Sequence, residues 1–118
     1  YIENGAGYFL TTKRMAWFWG LYLKDESEAS NPYAAPLQAE SLAGVPPAYL
    51  MTAEFDPLLS EGNAYADRLE VAGISVEREL YDGQIHGFVR RIDLYDRATI
   101  AINRIGGLIR SLGNQGND

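Results

Sequence analysis

A chain of 118 residues that is 47% apolar and 22% charged has the composition of one globular domain, not of a disordered segment. Its net charge of -6 argues against a nucleic-acid surface, and its lack of cysteine excludes disulfides and thiolate metal sites. One histidine is too few for a zinc site, and no apolar run approaches the ~18–20 residues that span a bilayer.

No metal or cofactor is therefore expected, and neither nucleic acid nor a membrane span. No basic, apolar leader of the secretory kind is visible, so the expectation is a cytoplasmic protein. The chain starts at Tyr1 without a Met, which suggests that something precedes it.

The opening "YIENGAGYF" reads as a loop or lead-in, with glycines at 5 and 7. "TTKRMAWFWGLYL" follows. Thr11 or Thr12 can cap a helix, and Met15, Phe18, Trp19 and Tyr22 repeat at a 3.6-residue period. The spacing predicts a helix from about Lys13 to Leu23. "KDESEASNPYAAPLQAESLAGVPP" is a polar connection with four prolines, in which "AESLAG" could form one helical turn closed by Gly44.

"PPAYLMTAEFDP" predicts a strand bounded by prolines. Ala48 to Ala53 are nearly all apolar, which suits a strand buried on both faces of a parallel sheet. Pro57 cannot continue a ladder, so Asp56 is expected at the strand's C-terminal end. "LLSEGNAYADRLEVAG" predicts an amphipathic helix that Gly73 terminates. "ISVERELYDG" alternates and predicts a second strand, ended by Asp82-Gly83, whose charged face suggests a sheet edge. Beyond His86, Ile92 and Tyr95, then Ala98, Ile102, Ile105, Ile109 and Leu112, trace a helical stripe. "GNQGND" reads as a frayed tail. Strand, helix, strand of this length is a βαβ unit with parallel strands, so the fold class is α/β.

In an open parallel sheet, chemistry gathers at the carboxyl ends of the strands. Asp56 follows the first strand. His86, the only histidine, follows the second within "YDGQIHGF". Adjacent strands lie about 4.8 Å apart, so the two side chains can meet. A carboxylate on imidazole Nδ1 would orient the ring and leave the other nitrogen to take a proton from a nucleophile. Plainer readings stay open on spacing alone. A lone loop histidine is commonly solvated, and an Asp before Pro commonly begins a turn.

The stretch "PPAYLMTAEFDPLLSEGNAYADRLEVAGISVERELYDGQIHGF" resembles the C-terminal third of the hormone-sensitive-lipase-like branch of the α/β-hydrolases. Asp56, Pro57, Leu58, Glu61 and Gly62 match that family's acid-bearing block, and His86, Gly87 and Phe88 its base-bearing block. "NPYAAPL" matches the lead-in, and Ser60 departs from the family's frequent Asp. The resemblance covers essentially residues 1 to 112. It implies the C-terminal portion of an α/β-hydrolase fold. Residues 1–45 would form a cap helix and linker, 46–112 the strand–helix–strand–helix part, and 113–118 a disordered tail.

It also implies a carboxylesterase or lipase in which Asp56 and His86 are the acid and base of a catalytic triad. Leu58, Ile85 and Phe88 flank that pair and are candidates to line the pocket. Trp17 or Trp19 could contribute from the early helix, where an aromatic stripe is equally well explained as core. Gly83 and Gly87 would shape the loop that presents His86.

Two family features are missing. No G-x-S-x-G elbow and no H-G-G-G-type loop occurs, and none of the serines at 27, 30, 41, 60, 75 and 111 has a glycine two residues away on both sides. The family's chain order is Ser, Asp, His, so the nucleophile is expected before Tyr1, in a longer polypeptide whose N-terminal segment would be this chain's partner. The 118 residues alone should then be nearly inactive. Rival readings are a non-catalytic interaction module, pairing as a homodimer through the strand Val76 to Tyr81 and the C-terminal helix, and a hydrolase of amide or carbamate bonds.

Overall fold

The computed structural model describes residues 3–115, with side-chain environments through residue 113. The chain divides into two compact units, residues 1–86 and 87–118.

The first unit opens with helix α1, Thr12–Tyr22. Thr11 caps it, its hydroxyl accepting the Arg14 N–H at 3.2 Å. The proline-rich connection holds 3₁₀ turns at Glu26–Ser30 and Pro36–Gln38. The helical turn expected in "AESLAG" is not formed. Residues 43–44 make a tight turn in which Val45 N–H reaches the Leu42 carbonyl, and the Ser41 hydroxyl accepts the Ala43 N–H. Serine's competition for nearby backbone donors favours such a turn over a helix.

Strand β1 runs Ala48–Phe55, helix α2 Leu59–Val71 and strand β2 Val76–Ile85. The strands pair in parallel, from Ala48 opposite Val76 to Ala53 opposite Tyr81. Within these residues β1 is half-buried, and Ala53 is its one buried residue. β2 does not stop at Asp82-Gly83. It bulges there and resumes pairing with Ile85 opposite Phe55.

Side chains alternate across a strand, so Leu50 and Thr52 share a face with Arg78 and Leu80, and Tyr49, Met51 and Ala53 share the other with Glu79 and Tyr81. α2 packs on the first of these faces. Arg78 bonds Asp67 and Glu70 of α2 at 2.7 and 2.6 Å, and an added Cβ at Gly62 would stand 3.2 Å from the Thr52 methyl. On the other face, the Tyr49 hydroxyl donates to the Glu79 carboxylate at 2.5 Å; burial first, then this bond, pushes the Tyr49 phenol well above its ordinary value.

α2 buries Ala66 and Leu69 and ends in a Schellman motif, with Ile74 N–H on the Leu69 carbonyl and Gly73 N–H on that of Glu70. Gly73 supplies the required left-handed residue at φ +78°. The Arg68 guanidinium ties the connection to α2 by donating to the carbonyls of Leu37 and Ala39. Leu10 and Leu42 complete the buried apolar set of this unit, with Ala53 and Tyr81 from the strands.

In the second unit, Phe88–Arg90 forms a 3₁₀ turn and α3 spans Asp96–Gln115. α3 starts later than the stripe from Ile92 suggests, because Arg91–Tyr95 closes as a turn through the bonds of Leu94 and Tyr95 to the Arg91 carbonyl. It also runs on through residues 113–115, expected as tail; residues 116–118 lie outside the described residues. Phe88, Ala98 and Ala101 are buried, whereas Ile102, Ile109 and Leu112 are exposed. No helix among the described residues is long and apolar enough to cross a membrane.

Leu69 is fully buried on the sheet-facing side of α2. In the intact polypeptide, Leu69→Ala should lower the unfolding free energy by about 2–5 kcal/mol, read from the urea midpoint at unchanged m-value.

Candidate active site

Asp56 is the first residue past β1, held there because Pro57 has no N–H for the ladder. Its carboxylate is committed at both oxygens. Oδ1 accepts the Leu58 N–H at 2.8 Å, a local turn that leads the backbone into α2. Oδ2 lies 2.8 Å from His86 Nδ1.

His86 is the first residue past β2. Gly87, at φ +74°, turns the chain immediately after it. The side chain of Asp56 is 13% exposed and that of His86 38%, so the acid is sheltered while the imidazole keeps an open flank. With the carboxylate ionised, Nδ1 carries the proton and donates it, and Nε2 is the nitrogen left for a reacting group. The bond from Asp56 raises the imidazole above its ordinary 6.5, against partial burial, which lowers it, and with a further favourable contribution from the carboxylate's charge.

The pair opens onto a concave surface enclosing about 1070 Å³ within the first unit. Met15, Phe18, Trp19 and Tyr22 of α1 line one side, the segment Ala34–Gln38 another, and Leu58, Leu59 and Tyr65 a third. Of the residues proposed from sequence, Asp56, His86, Leu58 and Trp19 are in this lining. Trp17, Ile85 and Phe88 are not.

Met15, Phe18, Trp19 and Tyr22 stand at i, i+3, i+4 and i+7, one stripe of the helix; Trp17 falls off it and is 60% exposed. Ile85 is the last residue of β2, pairs with Phe55 of β1 and is not among the residues that line the hollow. Phe88 is buried within the second unit. The aromatic members that do line the hollow were legible in the 3.6-residue stripe itself. The Ala34–Gln38 wall, set by Arg68 from a distant helix, carries no local signal. Among the described residues no group of three or more His, Cys, Asp or Glu is placed to hold a metal ion.

Residues 1–90 match a family model described as the alpha/beta hydrolase fold. The carboxylic ester hydrolase LipN of Mycobacterium tuberculosis is 35% identical over 108 residues, covering 91% of this chain and 29% of that protein. An arylesterase of Saccharolobus solfataricus is 35% identical over 92 residues, again 29% of its length, for 78% of this chain. Among solved structures, the thermophilic carboxylesterase EstE1, cloned from a metagenomic library, superposes with TM-score 0.88 at 37% identity, over 93% of this chain and 38% of that one. The chain thus spans about three tenths of the length of the relatives it matches.

The pair makes a pH-dependent contribution of definite sign. Because the folded imidazole is raised above 6.5, protonation of His86 favours the fold fully below that ordinary value, and the benefit is lost as pH rises through the elevated folded value. Asp56→Asn, which keeps an acceptor for Leu58, should bring the His86 titration down toward its ordinary value in an NMR pH series and flatten this part of the stability profile.

Proposed function

The chain belongs to the hormone-sensitive-lipase-like branch of the α/β-hydrolase fold family, and from that premise we propose that it carries the acid and base of a serine carboxylesterase whose nucleophile lies outside these 118 residues. One observation carries the reading: the 2.8 Å contact between Asp56 Oδ2 and His86 Nδ1 at the tips of two parallel strands. What supports its completion from elsewhere is that the 118 residues hold no G-x-S-x-G, while the matched relatives are about three times as long.

In this reading the serine hydroxyl attacks the ester carbonyl as His86 Nε2 takes its proton. Asp56 holds the ring by Nδ1 and stabilises the imidazolium without itself being protonated. The tetrahedral intermediate collapses as His86 returns the proton to the leaving alkoxide, which departs as the alcohol. Water then attacks the acyl-enzyme by the same route, releasing the acid and restoring the serine. The apolar hollow under Phe18, Trp19 and Leu58 gives the ester an apolar wall beside the base. Esters with short acyl groups are the proposed substrates. The Asp and His roles would be the same for an amide, so comparing matched ester and amide substrates decides the bond type.

The alternative is an interaction module that pairs as a homodimer through Val76 to Tyr81 and α3. It is favoured by half-exposed Leu80 on β2 and by the exposed row Ile102, Ile109 and Leu112 on α3.

Hydrolysis of a p-nitrophenyl ester series by the intact polypeptide separates the two. His86→Ala should lower kcat by about 10⁴-fold, and Asp56→Asn by a similar order, with KM much less affected. The isolated 118-residue chain should show almost no turnover. Unchanged turnover in His86→Ala would sink the catalytic reading. Loss of a dimer on replacing Leu80 and Ile109 with charged residues, read by sedimentation, would support the module.

A further inference from the structure

The pairing of the strands shows how His86 comes to face Asp56. Up to Ala53 opposite Tyr81 the register advances one residue for one. Carried on unbroken, it would set Asp56 opposite Gln84. Instead β2 spends four residues where β1 spends two, and pairing resumes with Phe55 opposite Ile85. The next residues along are Asp56 and His86. The two extra residues, with Gly83 in the left-handed region, let the ladder resume at the last residues of both strands, with Phe55 opposite Ile85. The bulge therefore exchanges the glutamine for the histidine, whose Nδ1 reaches the Asp56 carboxylate at 2.8 Å.

A bulge costs ladder hydrogen bonds and needs a partner for the donors it frees. Here Gly83 takes φ +73°, a conformation glycine adopts readily, and its N–H donates to the Glu54 carboxylate at 2.6 Å. Glu54 sits between Ala53 and Phe55, at the break in register. Its own backbone is fixed from a third direction, since the Asn4 side-chain amide donates to the Glu54 carbonyl at 3.0 Å. The bond from Gly83 is thus an acid-bearing strand reaching across to hold the segment that delivers the base.

We propose that Glu54 is a positioning residue for His86, its carboxylate holding the two-residue bulge that brings the imidazole opposite Asp56. The proposal rests on His86 acting as the base. Glu54 takes no part in the chemistry; its action is through the backbone of Gly83. When the bond is lost, the bulge relaxes and the imidazole drifts from the Asp56 carboxylate. Ångström-scale misplacement of a catalytic group costs turnover far more than it costs substrate binding.

The test uses the intact polypeptide with p-nitrophenyl acetate. Glu54→Ala should lower kcat about 10-fold and leave KM within about 2-fold. The acid limb of its kcat/KM profile should move to lower pH, because a base held less closely by Asp56 protonates less readily. Glu54→Gln also removes the charge but keeps an oxygen that can accept the Gly83 N–H, so kcat and the limb should stay near those of the parent. Glu54→Met replaces Glu54→Ala if the latter does not fold.

Parent-like kcat and pH limb in Glu54→Ala or Glu54→Met would overturn the proposal, as would an equal loss in Glu54→Gln. His86→Ala, run in parallel, keeps the two ideas apart. If it abolishes turnover while Glu54→Ala does not lower it, the positioning role fails alone; if it leaves turnover intact, the catalytic reading fails and this proposal with it.

Discussion

The parallel pairing of β1 with β2 is the constraint on which the rest depends. Strands that run the same way end at the same edge, so the residues after both C-termini share one small volume. Asp56 and His86 are 30 residues apart in the chain and 2.8 Å apart in space for that reason. The crossover helix α2 makes the parallel arrangement possible. It is anchored through buried Ala66 and Leu69 and through the Arg78 contacts with Asp67 and Glu70. The ion pairs are exposed and contribute little; the apolar burial dominates.

The site's electrostatics follow from unequal shelter. Asp56 is nearly enclosed and spends one oxygen on the Leu58 N–H, so only one oxygen and one direction remain for the imidazole. His86 keeps an open side toward the apolar hollow. A carboxylate fixed by backbone, bonded to a ring that is fixed by the carboxylate, is a chain of constraints with little freedom at its end. Such preorganisation is what a proton-transferring base requires.

Much of the fold was legible in the residues. Prolines on both sides of "AYLMTAEF" bounded β1, Gly73 closed α2, and the change from a 3.6 to a 2-residue period located β2. That Asp56 and His86 follow the two strands was legible in the residues, and the structure brings the two side chains to 2.8 Å. Where the reading went astray, a short signal was overruled by a partner out of view. Asp82-Gly83 is turn chemistry in most settings, yet here Glu54 from the neighbouring strand holds it as a bulge within β2. The tryptophan at 17 is as aromatic as the one at 19, and only the angle around α1 separates them.

Sequence by itself determined the local preferences: which main segments extend, which coil, and that an aspartate follows the first strand and the one histidine the second. These are properties of dihedral angles and side-chain periodicity, and they act over a few residues. Tertiary structure alone decided the register. The two-residue bulge that sets His86 rather than Gln84 opposite Asp56, and the Arg68 clamp that holds the Leu37–Ala39 segment to α2, both depend on hydrogen bonds between residues about 30 positions apart. No local pattern encodes such a bond, because its energy exists only once the chain has brought donor and acceptor together.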